Sequence, residues 1–202
     1  MNQLLIATNN TGKVKELHEL LRDSGIELVT PAAIGLNLEV TEDGQSYAEN
    51  AAKKAAAFAR ASGLISLADD SGLEVDALDG EPGPLHHVNG WDGCNQEERI
   101  QILLDALSGT PPERRTGRFR GILYVLLPDG HSLLAEGVCE GVITDRPAGV
   151  AGFGYDPVLL IPGLGKTMAE LTLAEKNGIS HRAVARDLGR KLKALLDSKS
   201  SA

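Results

Sequence analysis

The run LISLA is followed by Asp69-Asp70-Ser71-Gly72. Two neighbouring carboxylates at the end of a buried strand repel each other unless a cation lies between them or one is protonated. Strand ends are also where α/β sheets bind ligands. Magnesium takes one or two carboxylates and fills its shell with water and phosphate oxygens. The pair therefore reads as a candidate metal site, against the plainer reading of an Asp/Ser turn. The acidic loop Glu39, Glu42 and Asp43 offers another ligand, although a solvated run of charge is the simpler account of it.

Other stretches carry complementary chemistry. Thr8-Asn9-Asn10-Thr11-Gly12-Lys13 leaves a predicted strand and enters a predicted helix. Free N–H groups at a helix start, with a lysine beside them, suit a phosphate. The stretch is not a P-loop, because position 14 is Val and position 7 is not Gly. A polar turn bent at Gly12 is the alternative. Lys54 falls with Tyr47, Ala51 and Phe58 inside one narrow arc of a helical wheel. A lysine in an inward stripe is costly unless it is paired, points into a cleft, or snorkels out along its stem. Gly152-Phe153-Gly154-Tyr155-Asp156-Pro157 pairs an aromatic with flanking glycines, as a loop approaching a flat ligand would, or one tucking Phe153 into the core. In Ser180-His181-Arg182 the arginine opposes a helix macrodipole unless an anion or base carbonyl meets it; otherwise it is an exposed arginine paired with Glu175.

Positioning these residues requires an α/β order. Residues 3–8 read as a buried strand, 13–24 as a helix with Val14, Leu17, Leu20 and Leu21 inward, and 26–29 as a second strand. That order implies parallel pairing through a right-handed crossover. Ser46 and Glu49 form a capping box opening a helix that runs to Gly63, and 64–68 is the next strand. A helix is predicted near 96–107, a hairpin over 119–127 and 131–143, and loops through 147–165 with a strand at 158–161. Thr172 and Glu175 make another box. Ser180 is read as capping the last helix, which faces Val184, Leu188, Leu192 and Leu195 inward, and 198–202 as a disordered tail.

Composition excludes several classes. The 202 residues carry 20 Lys+Arg against 28 Asp+Glu, a net charge of −8, so a wide cationic footprint for duplex nucleic acid is not expected. Cys94 and Cys139 form no framework, and a reducing compartment fits. Together with His86 and His87, Cys94 falls short of a zinc site. Arg114, Arg115, Arg118 and Arg120 read as solvated. The first ten residues do not read as a signal peptide, and no run of 18 apolar residues spans a membrane.

Taken together, T-N-N-T-G-K at 8–13, E-N-A-x-x-K-A at 49–55, D-D-S-G-L at 69–73, F-G-Y-D-P at 153–157 and E-K through S-H-R at 175–182 resemble the inosine triphosphate pyrophosphatase family. The resemblance spans about residues 4–197, in order. It implies an α/β fold with an elongated mixed twisted sheet flanked by helices, in a single two-lobed domain with a central cleft. It implies a cytoplasmic homodimer that hydrolyses ITP, dITP and XTP to monophosphate and pyrophosphate with Mg²⁺. Thr8, Asn9, Asn10, Thr11, Gly12 and Lys13 would hold the triphosphate, and Lys54 would reach a phosphate. Asp70 would be a metal ligand and the proton acceptor, Asp69 and Glu42 further metal positions, and Ser71 a substrate contact. Phe153, Gly154, Tyr155 and Asp156 would form a base pocket closed by Lys176, His181 and Arg182. One stretch departs from the family pattern: Pro84-Leu85-His86-His87-Val88-Asn89 stands where V-Y-S-A-R-Y is usual, which removes an expected Ser and a cation. The alternatives kept are a house-cleaning pyrophosphatase of other base choice and a nucleotide sensor that has lost catalysis.

Overall fold

A computed structural model describes residues 3–84 and 95–200; the His86-His87 stretch lies outside the described residues. The strands are β1 (Gln3–Ile6), β2 (Glu27–Val29), β3 (Ile65–Val75), β4 (Thr116–Leu126), β5 (Ser132–Ile143), β6 (Leu159–Ile161) and β7 (Lys166–Thr167). The α-helices are α1 (Thr11–Leu21), α2 (Tyr47–Ser62), α3 (Gln96–Ala106), α4 (Leu173–Ile179) and α5 (Ala185–Ser200). The strands form one mixed sheet in the order β2-β1-β3-β4-β5-β6-β7, parallel at β1–β2 and β1–β3, antiparallel at β5–β6 and β6–β7. The α/β sheet flanked by helices is thus as the sequence predicts.

The chain divides into two compact units, one of Met1–Asp70, Gly121–Gly137 and Arg182–Ala202, the other of Ser71–Arg120 and Val138–His181. In the first unit strand alternation feeds two hydrophobic layers. Leu4, Ile6, Ile65, Leu67, Leu123 and Val125 pack against Leu17, Leu20 and Leu21 of α1 and Leu188, Leu192 and Leu196 of α5. Leu5, Ala7 and Ala68 point the other way, to Ala55 and Phe58 of α2. Each fully buried leucine adds about 1.5–3 kcal/mol relative to exposure. In the second unit Leu73, Val75, Phe119, Ile143, Val158 and Leu159 close over Ile100 and Leu103 of α3 and over Met168 and Leu171.

Several boundaries differ from the sequence reading. The strand expected to stop at Ala68 continues to Val75, carrying Asp69-Asp70-Ser71-Gly72 inside it rather than in a turn. These are poor strand formers, but tertiary ion pairs described below hold them. Ser180 ends α4, and its buried hydroxyl has no hydrogen-bond partner among the described residues, so it does not cap α5; a short 3-10 turn, His181–Val184, precedes that helix. The expected disordered tail is helical to Ser200, with Lys199 paired to Asp129. Arg115 is not solvated: it donates to the carbonyls of Leu107, Thr110 and Thr144 and so closes the end of α3.

Candidate active site

The phosphate-type loop is built as a capped helix start. Asn10 ends β1's exit and accepts the N–H of Lys13 at 3.1 Å, while its own N–H donates to Thr8 Oγ1 at 3.1 Å. This leaves the N–H groups of Thr11 and Gly12, in the first turn of α1, without a carbonyl inside the helix. Asn9 Nδ2 donates to the Leu38 carbonyl at 3.1 Å and ties in the acidic loop. Thr8, Asn9, Asn10, Lys13, Glu42 and Lys54 line one pocket of about 370 Å³.

Alternation along β3 sorts the two aspartates. Leu67 faces α1 and α5 and Ala68 faces α2, so Asp69 faces the first pair and Asp70 faces α2. Asp69 Oδ1 accepts from Lys13 Nζ at 3.0 Å, and its Oδ2 accepts from Arg182 Nε. Arg182 Nη1 also donates to Glu16 Oε2 at 3.0 Å. On the α2 side, Lys54 Nζ donates to Asp70 Oδ1 at 2.9 Å, to Glu42 Oε2 at 2.8 Å and to the Asp69 carbonyl at 2.8 Å. Lys54 is buried with Tyr47, Ala51 and Phe58 along the inward stripe, and it is paired there.

Burial sets the titration of this cluster. It pushes the Asp70 carboxyl up, and a hydrogen bond shared with Glu42 adds to that, to about 6. Burial also raises Glu42, but the hydrogen bond from Asp70 and the Lys54 ammonium outweigh it and hold that carboxyl below the usual range. The pair therefore shares a proton at mildly acidic pH. Burial lowers Lys13, opposed by Asp69. For Lys54 the nearby Asp70 and Glu42 charges overcome burial and raise it. Among the described residues, the carboxylates of Glu16, Glu42, Asp69 and Asp70 are interleaved with the cations of Lys13, Lys54 and Arg182.

Among the described residues, no group of three or more His, Cys, Asp or Glu side chains converges as a metal cage. Of the three acids expected at the metal, Asp69 is paired with Lys13 and Arg182, while Glu42 and Asp70 both accept from Lys54. Two hard oxygen donors sharing one proton, beside a pocket large enough for phosphates, fit a magnesium ion that keeps water and substrate oxygens.

In the second unit, Asp156 organises the glycine-rich loop. Its Oδ2 accepts the Phe153 N–H at 2.7 Å and also the buried Lys176 ammonium, and Lys176 Nζ lies 4.8 Å from the Phe153 ring centroid. That ammonium over an aromatic face is a cation–π contact. Gly152 has φ +75, and a Cβ there would lie 2.0 Å from Asp156 Oδ2, so only glycine fits. The Gly154 N–H donates to Gln96 Oε1 at 2.9 Å. Tyr155 packs partly into the core and His181 lies 5.4 Å from the Phe119 ring. Ser71 is half-buried on β3. Arg182 is buried on Glu16 and Asp69, which corrects the exposed arginine paired with Glu175; Glu175 instead caps α4 at Thr172 and meets Lys166.

Sequence reasoning missed Glu16 and Asn50. Glu16 lies three residues after Lys13 on α1, at the flank of the leucine stripe, and is buried. Asn50 lies one turn before Lys54 on α2 and is also buried. The signal in both cases was a polar residue on an inward arc, the same signal that marked Lys54.

Known proteins resemble this chain over nearly its whole length. The chain is 46% identical over 183 residues to a dITP/XTP pyrophosphatase of Desulforamulus reducens, with 91% of each chain covered. It is 42% identical over 198 residues to a dITP/XTP pyrophosphatase of Bacillus subtilis, with 98% of each covered. Among solved structures it matches a HAM1 protein from Coxiella burnetii with a TM-score of 0.82 at 35% identity, covering 98% of this chain and 100% of that one. The profile of the Ham1 family matches residues 4–191. With that profile match and that identity over nearly its full length, the chain belongs to the Ham1 family.

Proposed function

We propose that the protein hydrolyses dITP, ITP and XTP to the nucleoside monophosphate and pyrophosphate. The observation that carries this is the pocket in which Lys13 and Lys54 face Glu42, with Asp70 on Lys54, in a chain 42–46% identical to relatives named dITP/XTP pyrophosphatase. Water attacks the α-phosphorus; the new P–O bond forms as the bond to the β-phosphoryl oxygen breaks, and the water proton goes to Asp70. Proton acceptance of this kind is typically worth 10²–10⁴-fold. Lys13, Lys54 and the N–H groups of Thr11 and Gly12 hold the departing pyrophosphate charge, which is the larger share of catalysis in phosphoryl transfer. Glu42 and Asp70 would hold magnesium, which when bound neutralises phosphate charge and lowers the pKa of water.

Phe153, with Gly154 and Tyr155, takes the flat base. The Lys176 ammonium, oriented by Asp156, donates to a 6-oxo group, and His181 closes the pocket. Adenine presents a 6-amino donor there, and a polar site left unpaired discriminates by about 10⁴-fold. No described helix is long and apolar enough to cross a membrane. A cytoplasmic homodimer acting on free nucleotides, with no stable nucleic-acid partner, completes the reading. A pyrophosphate-release assay on dITP, XTP, dGTP and dATP, with and without Mg²⁺, tests it: Mg²⁺-dependent turnover of dITP and XTP is expected. Equal rates on dATP, or binding without turnover, contradict it.

A further inference from the structure

We propose that Asn50 is a positioning residue that sets Glu42 in place for the metal. This rests on the reading of Glu42 and Asp70 as the metal pair. Three consecutive residues after Glu42 are each tied to α2: Asp43 to Lys53, Gly44 to Asn50, and Gln45 to Glu49. The first tie is a solvated pair, with side chains 65% and 45% exposed, and such pairs contribute little. The third lies at the exposed start of the helix. The middle tie is different: the Gly44 N–H donates at 2.8 Å to Oδ1 of Asn50, a residue 1% exposed.

The loop and the helix meet too closely at this point for any other residue. A Cβ on Gly44 would lie 2.6 Å from Asn50 Oδ1 and 2.9 Å from Glu49 Cβ. Asn50 also stands one turn before Lys54, on the same side of α2, and Lys54 Nζ reaches Glu42 Oε2 at 2.8 Å. The helix that delivers the ammonium thus also fixes the loop that delivers the carboxylate. Glu42 itself comes from an irregular segment with no ladder to hold it, so the Asn50–Gly44 contact supplies the register that a strand would otherwise give. Groups that orient a metal-binding side chain commonly matter about 10–100-fold to metal affinity.

Calorimetric titration of the protein with Mn²⁺ alone tests this on wild type, Glu42→Gln, Asn50→Ala, Asn50→Asp and Gly44→Ala, with circular dichroism and a melting curve for each. Glu42→Gln, Asn50→Ala and Gly44→Ala are expected to weaken Mn²⁺ binding about tenfold or more with an unchanged spectrum. Asn50→Asp keeps an acceptor for the Gly44 N–H and is expected to bind as wild type does. If Asn50→Ala fails to fold, Gly44→Ala decides the matter from the loop side. Wild-type affinity in Asn50→Ala or in Gly44→Ala, with Glu42→Gln weakened, overturns the role of Asn50 and leaves the metal pair standing. A loss in Asn50→Asp as deep as in Asn50→Ala overturns it too. Unchanged binding in Glu42→Gln removes the metal pair, and the inference with it.

Discussion

Asp69 and Asp70 are joined by one peptide bond yet serve opposite faces of the sheet: Asp69 meets Lys13 and Arg182, and Asp70 meets Lys54. Each is bonded to its own cations, and the Lys13 charge acts on both. The two positions should therefore fail differently when neutralised. Asp70→Asn is expected to lower turnover by about 10²-fold or more with the fold intact. Asp69→Asn leaves the Arg182 guanidinium facing a neutral amide in a site where its side chain is 3% exposed, and should cost about 3–5 kcal/mol of stability. Steady-state kcat and urea unfolding of both variants check this; two variants with the same pattern would contradict it.

The metal-free protein should lose stability as pH rises. Burial and the bond to Glu42 hold the Asp70 carboxyl at about 6, so the folded chain keeps a proton that the unfolded chain has shed. The stabilisation is full below the unfolded value, near 3.9 for an aspartate, and is lost as pH climbs through about 6. Glu42 has the opposite sign, but its loss falls at lower pH. Melting temperatures in EDTA between about pH 4.5 and 6.5 should fall more steeply for wild type than for Asp70→Asn. Parallel curves would count against the raised carboxyl.

Lys176→Met strands the Asp156 carboxylate, whose side chain is 4% exposed. A loss of about 3–5 kcal/mol is expected, largely restored by adding Asp156→Asn, together with weaker discrimination between dITP and dATP. A double-mutant cycle in urea reads the coupling; additive losses would show that the pair is not one unit.

Burial, with the Glu140 and Asp156 charges, raises the Cys139 thiol to about 11. In a Cys94→Ser background, Cys139 should resist a thiol reagent at pH 8 until the protein unfolds. Prompt modification of the native protein would contradict that burial.

Periodicity was enough for the leucine faces of α1 and α5 and for the inward stripe of α2 with Lys54 on it, because a packed helix exposes its interior in its spacing. Residue type misled at β3: Asp, Ser and Gly signal a turn, but the cations arriving from α1, α2 and the segment before α5, with the strand's place between β1 and β4, keep it extended. The same blindness hid Glu16, which answers to Arg182, 166 residues away. It also hid the separation of the aspartates, since alternation can be counted only once the strand is known to continue. The lysine loop, Asp70 and the Phe153 loop stood out in the sequence because their residue types were locally out of place. Asn50 stood on the same inward arc as Lys54, but spacing does not name its partner, the Gly44 N–H.

The phosphorus that water attacks decides whether Asp70, Lys13 and Lys54 act as described. Turnover of dITP in H₂¹⁸O, followed by mass spectrometry of both products, reads this directly. The label is predicted in the deoxyinosine monophosphate, with unlabelled pyrophosphate. Label in the pyrophosphate, or release of diphosphate nucleoside and inorganic phosphate, would contradict attack at the α-phosphorus and the roles given to Asp70, Lys13 and Lys54.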